Sequence, residues 1–485
     1  MNRIKPALVA LAATLALGGC SLAPTYQVPA MNIPANFKEA APWTDAQPAD
    51  ALPRGAWWSL YGDARLSELE TRLDANSPDL AAALALYGQA KAFEDQAKAG
   101  LWPTLSGLFG LSENRQSDTR PLRGGGQPDI YGADTVGLQA DYEVDLWGKV
   151  RNEVASAKAE TQAAAGDLAS ARLSLQIQLA DDYVAILSED REIQLLADTV
   201  TAYDKALTLT ETLHGGGVVS GLDVSRAHTQ LDTARAEVSE SRARRALLEH
   251  AVAVLVGESP AAFSLPPDAR RIALPQIPPG VPATLLQRRP DVAAAERRVA
   301  AANASIGVAR AAFFPSLDLS AAIGVQSTST GSLFMAPSTY WAVGPMLTQT
   351  IFDAGLHSAQ LAQARAKLDE AAARYRSTVL TAFQQVEDNL ALLANYKVET
   401  VDENAAVQAA QKTLEISMTQ YRDGGVDYLE VVDSQTAALS AEEAELQLET
   451  RQLRASVDLI RALGGGWTTA DENAPAAAVA ATAPQ

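Results

Sequence analysis

The sequence predicts a mainly α-helical chain built as a tandem repeat of long helical hairpins, with four β-strands placed between helices. Three observations carry this. Residues 213–226 (LHGGGVVSGLDVSR) and 421–433 (YRDGGVDYLEVVD) both interrupt long helical patterns with glycines and an aspartate. An offset of 207 lays one on the other: Gly217 meets Gly424, Leu222 meets Leu429 and Val224 meets Val431. The same offset carries Gly148 to Gly355, Lys205 to Lys412, Leu207 to Leu414 and Gly257 to Gly464, without a gap. Second, proline is absent from 129 to 259 and again from 346 to 474, long enough for helices of many turns. Third, the apolar period switches from 3.6 to 2 at matching places in both halves.

The first 20 residues set the compartment. Arg3 and Lys5 precede an apolar run from Ala7 to Leu17, followed by Leu17-Gly18-Gly19-Cys20. This reads as a secretory signal peptide over 1–19, too short to span a membrane as a helix. Cys20 is the single cysteine, so no intrachain disulfide or Cys-based metal site is expected. Losing Arg3 and Lys5 takes the formal charge from -19 to -21, which argues against nucleic-acid binding. No later stretch approaches 18 consecutive apolar residues.

In chain order, residues 20–64 begin as a strap in which Pro24, Pro29, Pro34, Pro42, Pro48 and Pro53 recur without periodicity. Repeat 1 covers 65–259. Leu66, Leu69 and Leu73 share a helix face. Ser77-Pro78-Asp79 restarts the helix with a cap, a first-turn proline and a first-turn acid, and Trp102-Pro103 stops it. Over 131–145, Val136, Leu138, Ala140, Tyr142 and Val144 alternate with Thr135, Gly137, Gln139, Asp141 and Glu143. Residues 104–113 alternate more loosely through Leu105, Phe109 and Leu111.

From Gly148 to Leu213 a single helix would run ~100 Å at 1.5 Å per residue. Its seam advances through Val150, Val154, Ala157, Thr161, Ala164 and Leu168, then through Ile186, Ile193, Val200 and Leu207 with Leu196 and Tyr203 between, which is coiled-coil spacing. Residues 260–281 form a Pro-rich crossover. Repeat 2, 282–466, repeats the plan. Leu317, Leu319, Ala321, Ile323 and Val325 define a third strand, and Trp341, Val343, Leu347 and Ile351 a fourth, against which Pro345 argues. The Ala/Pro/Thr tail, 467–485, is expected to be disordered.

Strands of this length suit a tilted crossing of a bilayer, but about eight are needed to close the smallest membrane barrel. An open edge in lipid leaves backbone groups unpaired. Four strands per chain therefore require a barrel shared between chains. A search for chemistry finds little. His214, His228, His250 and His357 show no metal spacing and read as solvated, and the runs 124–126 and 215–217 are turn glycines. Asp181-Asp182 reads as part of a solvated face, and Arg115, Arg120 and Arg123 as a solvated outer loop. No catalytic or metal site is assigned, and the chain is not expected to be an enzyme.

The segment PATLLQRRPDVAAAERRVAAANASIGVARAAFFPSLDLS (282–320) resembles the signature of TolC-like outer-membrane efflux proteins of the lipidated branch. The matching residues are Arg288, Arg289, Pro290, Asp291, Val292, Glu296, Ile306, Gly307, Phe314 and Pro315. Trp57, Trp58, Asp63 and Leu66, and DLWGKVR from Asp145, match as well.

The resemblance implies a homotrimer with a 12-stranded β-barrel in the outer membrane and a periplasmic α-helical tunnel. It implies cleavage before Cys20 and a diacylglyceryl and N-acyl (palmitate-type) anchor there, with no other cofactor. Ser21, rather than aspartate, after the cysteine favours the outer membrane. The implied partners are outer-membrane lipid, a periplasmic adaptor and an inner-membrane RND-type pump, and the implied cargo is drugs and other small toxic compounds. Leu429 and Asp433 align with the apolar and acidic gate rings. Being four apart, they share a helix face. Gly217, Val218, Gly221, Leu222, Gly424, Gly425 and Val426 form the tips where an adaptor would dock. Arg226 stands where repeat 2 has Asp433, so only the second tip carries both gate residues. Two rival functions share this plan: a type I secretion duct for polypeptides, and a non-conducting structural lipoprotein.

Overall fold

Helix starts and stops in this chain are set by residues whose side chains satisfy free backbone groups. The structure, a computed structural model, describes residues 21–34, 36–40, 56–117, 119, 126, 128–275, 277 and 288–465. The signal peptide, Cys20, Pro42, Pro48, Pro53, Arg120, Arg123, Gly124, Gly125, all of 278–287 and the C-terminal tail lie outside the described residues.

Helix α1 (Ala64–Asn76) begins on Asp63, whose carboxylate accepts from the amides of Arg65 and Leu66. Helix α2 (Pro78–Ala99) has Pro78 first and Asp79 in its first turn, as its sequence predicts. Strands β1 (Thr104–Gly110), β2 (Glu113–Arg115), β3 (Ile130–Gly132) and β4 (Asp134–Glu143) follow. Next come α3 (Lys149–Gly215) and α4 (Gly221–Leu255), then α5 (Pro290–Ala311), β5 (Ser316–Ser327) and β6 (Thr339–Thr348). The second hairpin, α6 (Leu356–Arg422) and α7 (Tyr428–Ala462), is the last of the described elements.

The repeat is exact in length for its helices. Helices α3 and α6 have 67 residues each, and α4 and α7 have 35 each. All begin and end at an offset of 207. Helices α2 and α5, of 22 residues each, and the starts of β1 and β5 correspond instead at an offset of 212. The first strand pair and its loop are therefore five residues longer than the second. That length accommodates β2 and β3, a separate two-stranded ribbon beyond the four expected strands. The ribbon arises because the first hairpin breaks at Leu111-Ser112 and Ala133, where the Ala133 amide donates to the Ser112 carbonyl at 2.7 Å.

Contacts divide the chain into two units. One holds Tyr87–Ala164 and Ala295–Tyr375 with the strap up to Pro29; the other holds Ala30–Leu86, Ala165–Ala294 and the chain from Arg376 onward. The second unit contains the main core, in which Trp57, Leu66, Leu69, Leu73, Leu179, Tyr183, Leu390 and Leu459 are all 2% exposed or less. Burying such side chains stabilises the unit by about 1.5–3 kcal/mol each.

In the first unit β1, β4, β5 and β6 form one antiparallel sheet in that order. Pro345 sits in β6, which pairs on one side only, so a residue without an N–H is tolerated there. The strap residues 21–34 carry neither helix nor strand, whereas Lys38–Ala40 and Trp57–Tyr61, inside the stretch expected to be extended, form short 3-10 helices. Trp57, Trp58 and Tyr61 enter the main core because their rings bury there. Asn303 Nδ2 donates to the Pro24 carbonyl at 2.8 Å, and an Arg310 Nη1 donates to the Leu22 carbonyl at 3.0 Å. Ser21 Oγ donates to Asn152 Oδ1 at 2.9 Å, and the Tyr26 hydroxyl donates to the Glu296 carboxylate.

Candidate functional site: a two-faced sheet and a pair of hairpin tips

The sheet register sorts its side chains by chemistry. Phe109, Val136 and Val325 lie in one row, and Leu138, Ile323 and Trp341 in the next apolar row. Leu105, Ala140, Ala321 and Val343 form a third. The alternate rows carry Thr104, Asp141, Ser320 and Gly344, and Ser106, Gln139, Ala322 and Ala342. Leu105, Phe109, Leu138, Ile323, Trp341 and Val343 are all more than half exposed. A large exposed apolar face of this kind needs an apolar surrounding. On the polar face, Gly137 and Gly324 leave room for the Tyr340 ring; a Cβ there would lie 2.7 Å from its hydroxyl and 3.0 Å from Cε1.

Each tip is built from the same backbone parts. Gly217 and Gly424 have φ of 74° and 76°. At the first tip the Gly217 amide donates to the His214 carbonyl and the Val218 amide to Leu213; at the second Gly424 donates to Tyr421 and Gly425 to Gln420. This is a Schellman close, which needs a left-handed residue at that point. Ser220 then caps α4 in a capping box with Asp223, and Asp427 caps α7 by accepting from the amides of Leu429 and Glu430.

The side chains differ. Helix α4 opens with Gly221, where an added Cβ would lie 3.8 Å from the His214 ring. The offset replaces that pair by Tyr421 and Tyr428, whose rings meet edge-on at 5.3 Å. Both tyrosines are buried in a cluster with Tyr203, Leu207, Leu231 and Val431. The Tyr421 hydroxyl donates to Thr210 Oγ1 at 3.1 Å, Gln230 Nε2 donates to Thr436 Oγ1 at 3.0 Å, and Ser417 and Ser434 share a buried bond of 2.8 Å. These bonds join the two hairpins and close the second. Sequence reading missed them, although the His214-to-Tyr421 change at the repeat offset was their visible trace.

Leu429 and Asp433 lie on the exposed side of α7, opposite the buried Tyr428, Val431 and Gln435. Leu222 is exposed in the same way, while Arg226 is half-buried and pairs with Asp223 at 3.4 Å. Val218, Gly221, Gly424 and Gly425 are exposed, and Val426 is half-buried beside the tip cluster.

Several of the signature residues have a mechanical task. Arg289 is buried, forms a two-toothed bond to Asp291 and donates to the Ala462 carbonyl at 3.1 Å, tying the start of α5 to the end of α7. Asp145 accepts from the amides of Val150 and Arg151 at the start of α3. The Trp147 ring stacks on Phe314 at 4.7 Å, and its Nε1 donates to the Pro315 carbonyl at 2.8 Å.

Three expectations need correction. Ile351, read as part of the fourth strand, lies beyond β6, which ends at Thr348. His357 is not simply solvated: its Nδ1 lies 2.7 Å from Asp353, the residue that caps α6, and its ring tilts over Phe313. Asp181 and Asp182 do not sit on a solvated face. Each has a buried carboxylate oxygen with no partner among the described residues. Burial, then Asp458, pushes Asp181 up to about 7 against the pull of Arg454 and Arg461.

A sheet with one apolar and one polar face, two edges unpaired among the described residues, and long paired helices defines an outer-membrane channel subunit. The family model for outer membrane efflux proteins matches residues 71–258 and 281–465, and the chain belongs to that family. It is 32% identical to outer membrane protein OprJ of Pseudomonas aeruginosa over 468 residues, covering 96% of this chain and 97% of the relative. It is 34% identical to the toluene efflux pump outer membrane protein TtgC of Pseudomonas putida over 465 residues, covering 95% and 96%. The solved outer-membrane channel OprN superposes with a TM-score of 0.84 at 29% identity, covering 92% of this chain and all of that one. The protein is an outer-membrane protein.

Proposed function

We propose that the chain is the outer-membrane channel of a tripartite efflux pump, assembled as a homotrimer, and that it conducts small toxic compounds outward without altering them. The observation that carries this is the sheet. Its apolar face suits lipid, its polar face suits a wet lumen, and both edges are open. Three such sheets joined edge to edge supply twelve strands and leave no edge unpaired in lipid. The inner-membrane pump would be of the RND type, joined to the tips through a periplasmic adaptor. Cys20 would carry the lipid, one residue before the strap contact of Ser21 with Asn152.

Leu429 and Asp433, stacked on one face of α7, would form an apolar and an acidic ring at the periplasmic end. Three leucines exclude water at a constriction, and three close carboxylates repel unless a cation or proton intervenes. The names of relatives as toluene and antibiotic efflux components support small-molecule cargo over a polypeptide. Two measurements test the reading. Purified protein in planar bilayers is expected to conduct, and loss of the gene is expected to sensitise cells to drugs or solvents. A protein that inserts without conducting, or a deletion with unchanged susceptibility, would refute it.

A further inference from the structure

Where strands pass into helices, the chain contains one completed aromatic joint and both halves of a second. The completed joint lies between β4 and β5. Residues leaving β4 supply Trp147, and residues leading into β5 supply Phe314 and Pro315, which the tryptophan stacks on and hydrogen-bonds. The repeat offset of 212 carries Phe313-Phe314-Pro315 back to Leu101-Trp102-Pro103, ahead of β1. The residues leaving β6, the counterpart of β4, include Ile351 and Phe352; the offset of 207 places Ala354 where Trp147 stands, so Phe352, two residues nearer the strand, is the aromatic on this side. Their own chain leaves Trp102 73% exposed, Ile351 96% and Phe352 87%, whereas Phe314 is 42% exposed and Leu101 37%. His357, just beyond, already meets Phe313 on the β5 side, so the open side of this junction is the one facing away from β5.

We infer that Ile351 and Phe352 of one copy pack on Leu101 and Trp102 of a second copy, and that this joint repeats at each seam between subunits. The occupant is a second copy because β1 and β6 are the two open edges of the sheet, and each half-joint adjoins one of them. An intrachain joint between the corresponding strands shows the geometry that the seam would continue. Side chains this exposed and apolar, brought together at a strand seam, lose water contact from both partners. The inference rests on the trimer proposed above and adds the residues that lock it.

The test uses full-length protein carrying Trp102→Cys with Phe352→Cys, treated with a short bis-maleimide in the outer membrane. The expected product is a covalent species of three chains, formed by the double variant and by neither single one. Uncross-linked chains in a preparation that light scattering still finds trimeric overturn the joint and leave the trimer standing. A monomer overturns both. Trp102→Ala and Phe352→Ala supply a second measurement: each is expected to lower the temperature at which the trimer dissociates, with the pair losing little more than either alone. Fully additive losses overturn the contact.

Discussion

The hydroxyl of Tyr421, at the end of α6, donates to Thr210 Oγ1 on α3 across 3.1 Å, and both residues are buried. This bond ties the second hairpin to the first inside the apolar tip cluster. Tyr421→Phe keeps the ring on Tyr428 and leaves the Thr210 hydroxyl bonded only to the Ala206 carbonyl. Loss of one such neutral bond costs about 0.5–1.5 kcal/mol. The variant is expected to fold, to exchange tip amides faster and to open more often in planar bilayers. Unchanged exchange at the tip would show that the tie is idle.

Leu429 and Asp433 offer a sharper contrast because the repeat supplies its own control. Leu429→Ala with Asp433→Ala is expected to raise single-channel conductance and weaken its dependence on divalent cations. Leu222→Ala with Arg226→Ala, at the corresponding places on α4, is expected to leave conductance near the parent value. Equal effects from the two pairs would remove the distinction between the tips.

The features legible in sequence were those governed by spacing. The offset of 207 located α3, α4, α6 and α7 because glycines at positive φ and capping residues recur with it. The strand faces were legible because alternation alone assigns them. The second offset of 212, the ribbon β2–β3 and the ties at the tip were not. A five-residue insertion hides one offset behind the other. Tyr421 meeting Thr210 depends on contact between helices far apart in sequence. His357 read as solvated because its partner, Asp353, is recognisable as a cap only once α6 is seen to start there. Trp102, read only as the end of a helix, gains a counterpart in Phe314 once the offset of 212 is seen.

Gly307, part of the family signature, has a steric reason to be glycine. A Cβ there would lie 2.5 Å from Asn152 Nδ2 and 2.8 Å from the Cβ of Ala23, where the strap crosses α5 and α3. Gly307→Ala must push the strap or Asn152 aside, a clash of the order of 1–3 kcal/mol. The expected outcome is faster proteolysis near residues 21–29 with little change at the tips. Asn152→Ala in the same background is expected to restore part of the protection by removing the nearer clash.

Glu70 gives a prediction with a definite sign. It is fully buried in α1, and neither carboxylate oxygen has a partner among the described residues, while the neighbouring Asp74 is held by Arg172 and Gln176. Burial, then Asp74, pushes Glu70 up to about 10, only partly opposed by Arg172. The folded chain therefore keeps a proton that the unfolded chain releases near the ordinary value of about 4.3. Between these values folding takes up a proton, so stability falls as pH rises through the window and stops falling above the folded pKa. The slope from this group approaches about 1.4 kcal/mol per pH unit at most. Glu70→Gln keeps the shape and removes the ionisation. Its melting temperature is expected to match the parent near pH 4 and to exceed it progressively from pH 6 to pH 9. A parent and variant that lose stability in parallel over that range would mean that Glu70 is ionised in the folded chain, paired with a group that rearranges to meet it.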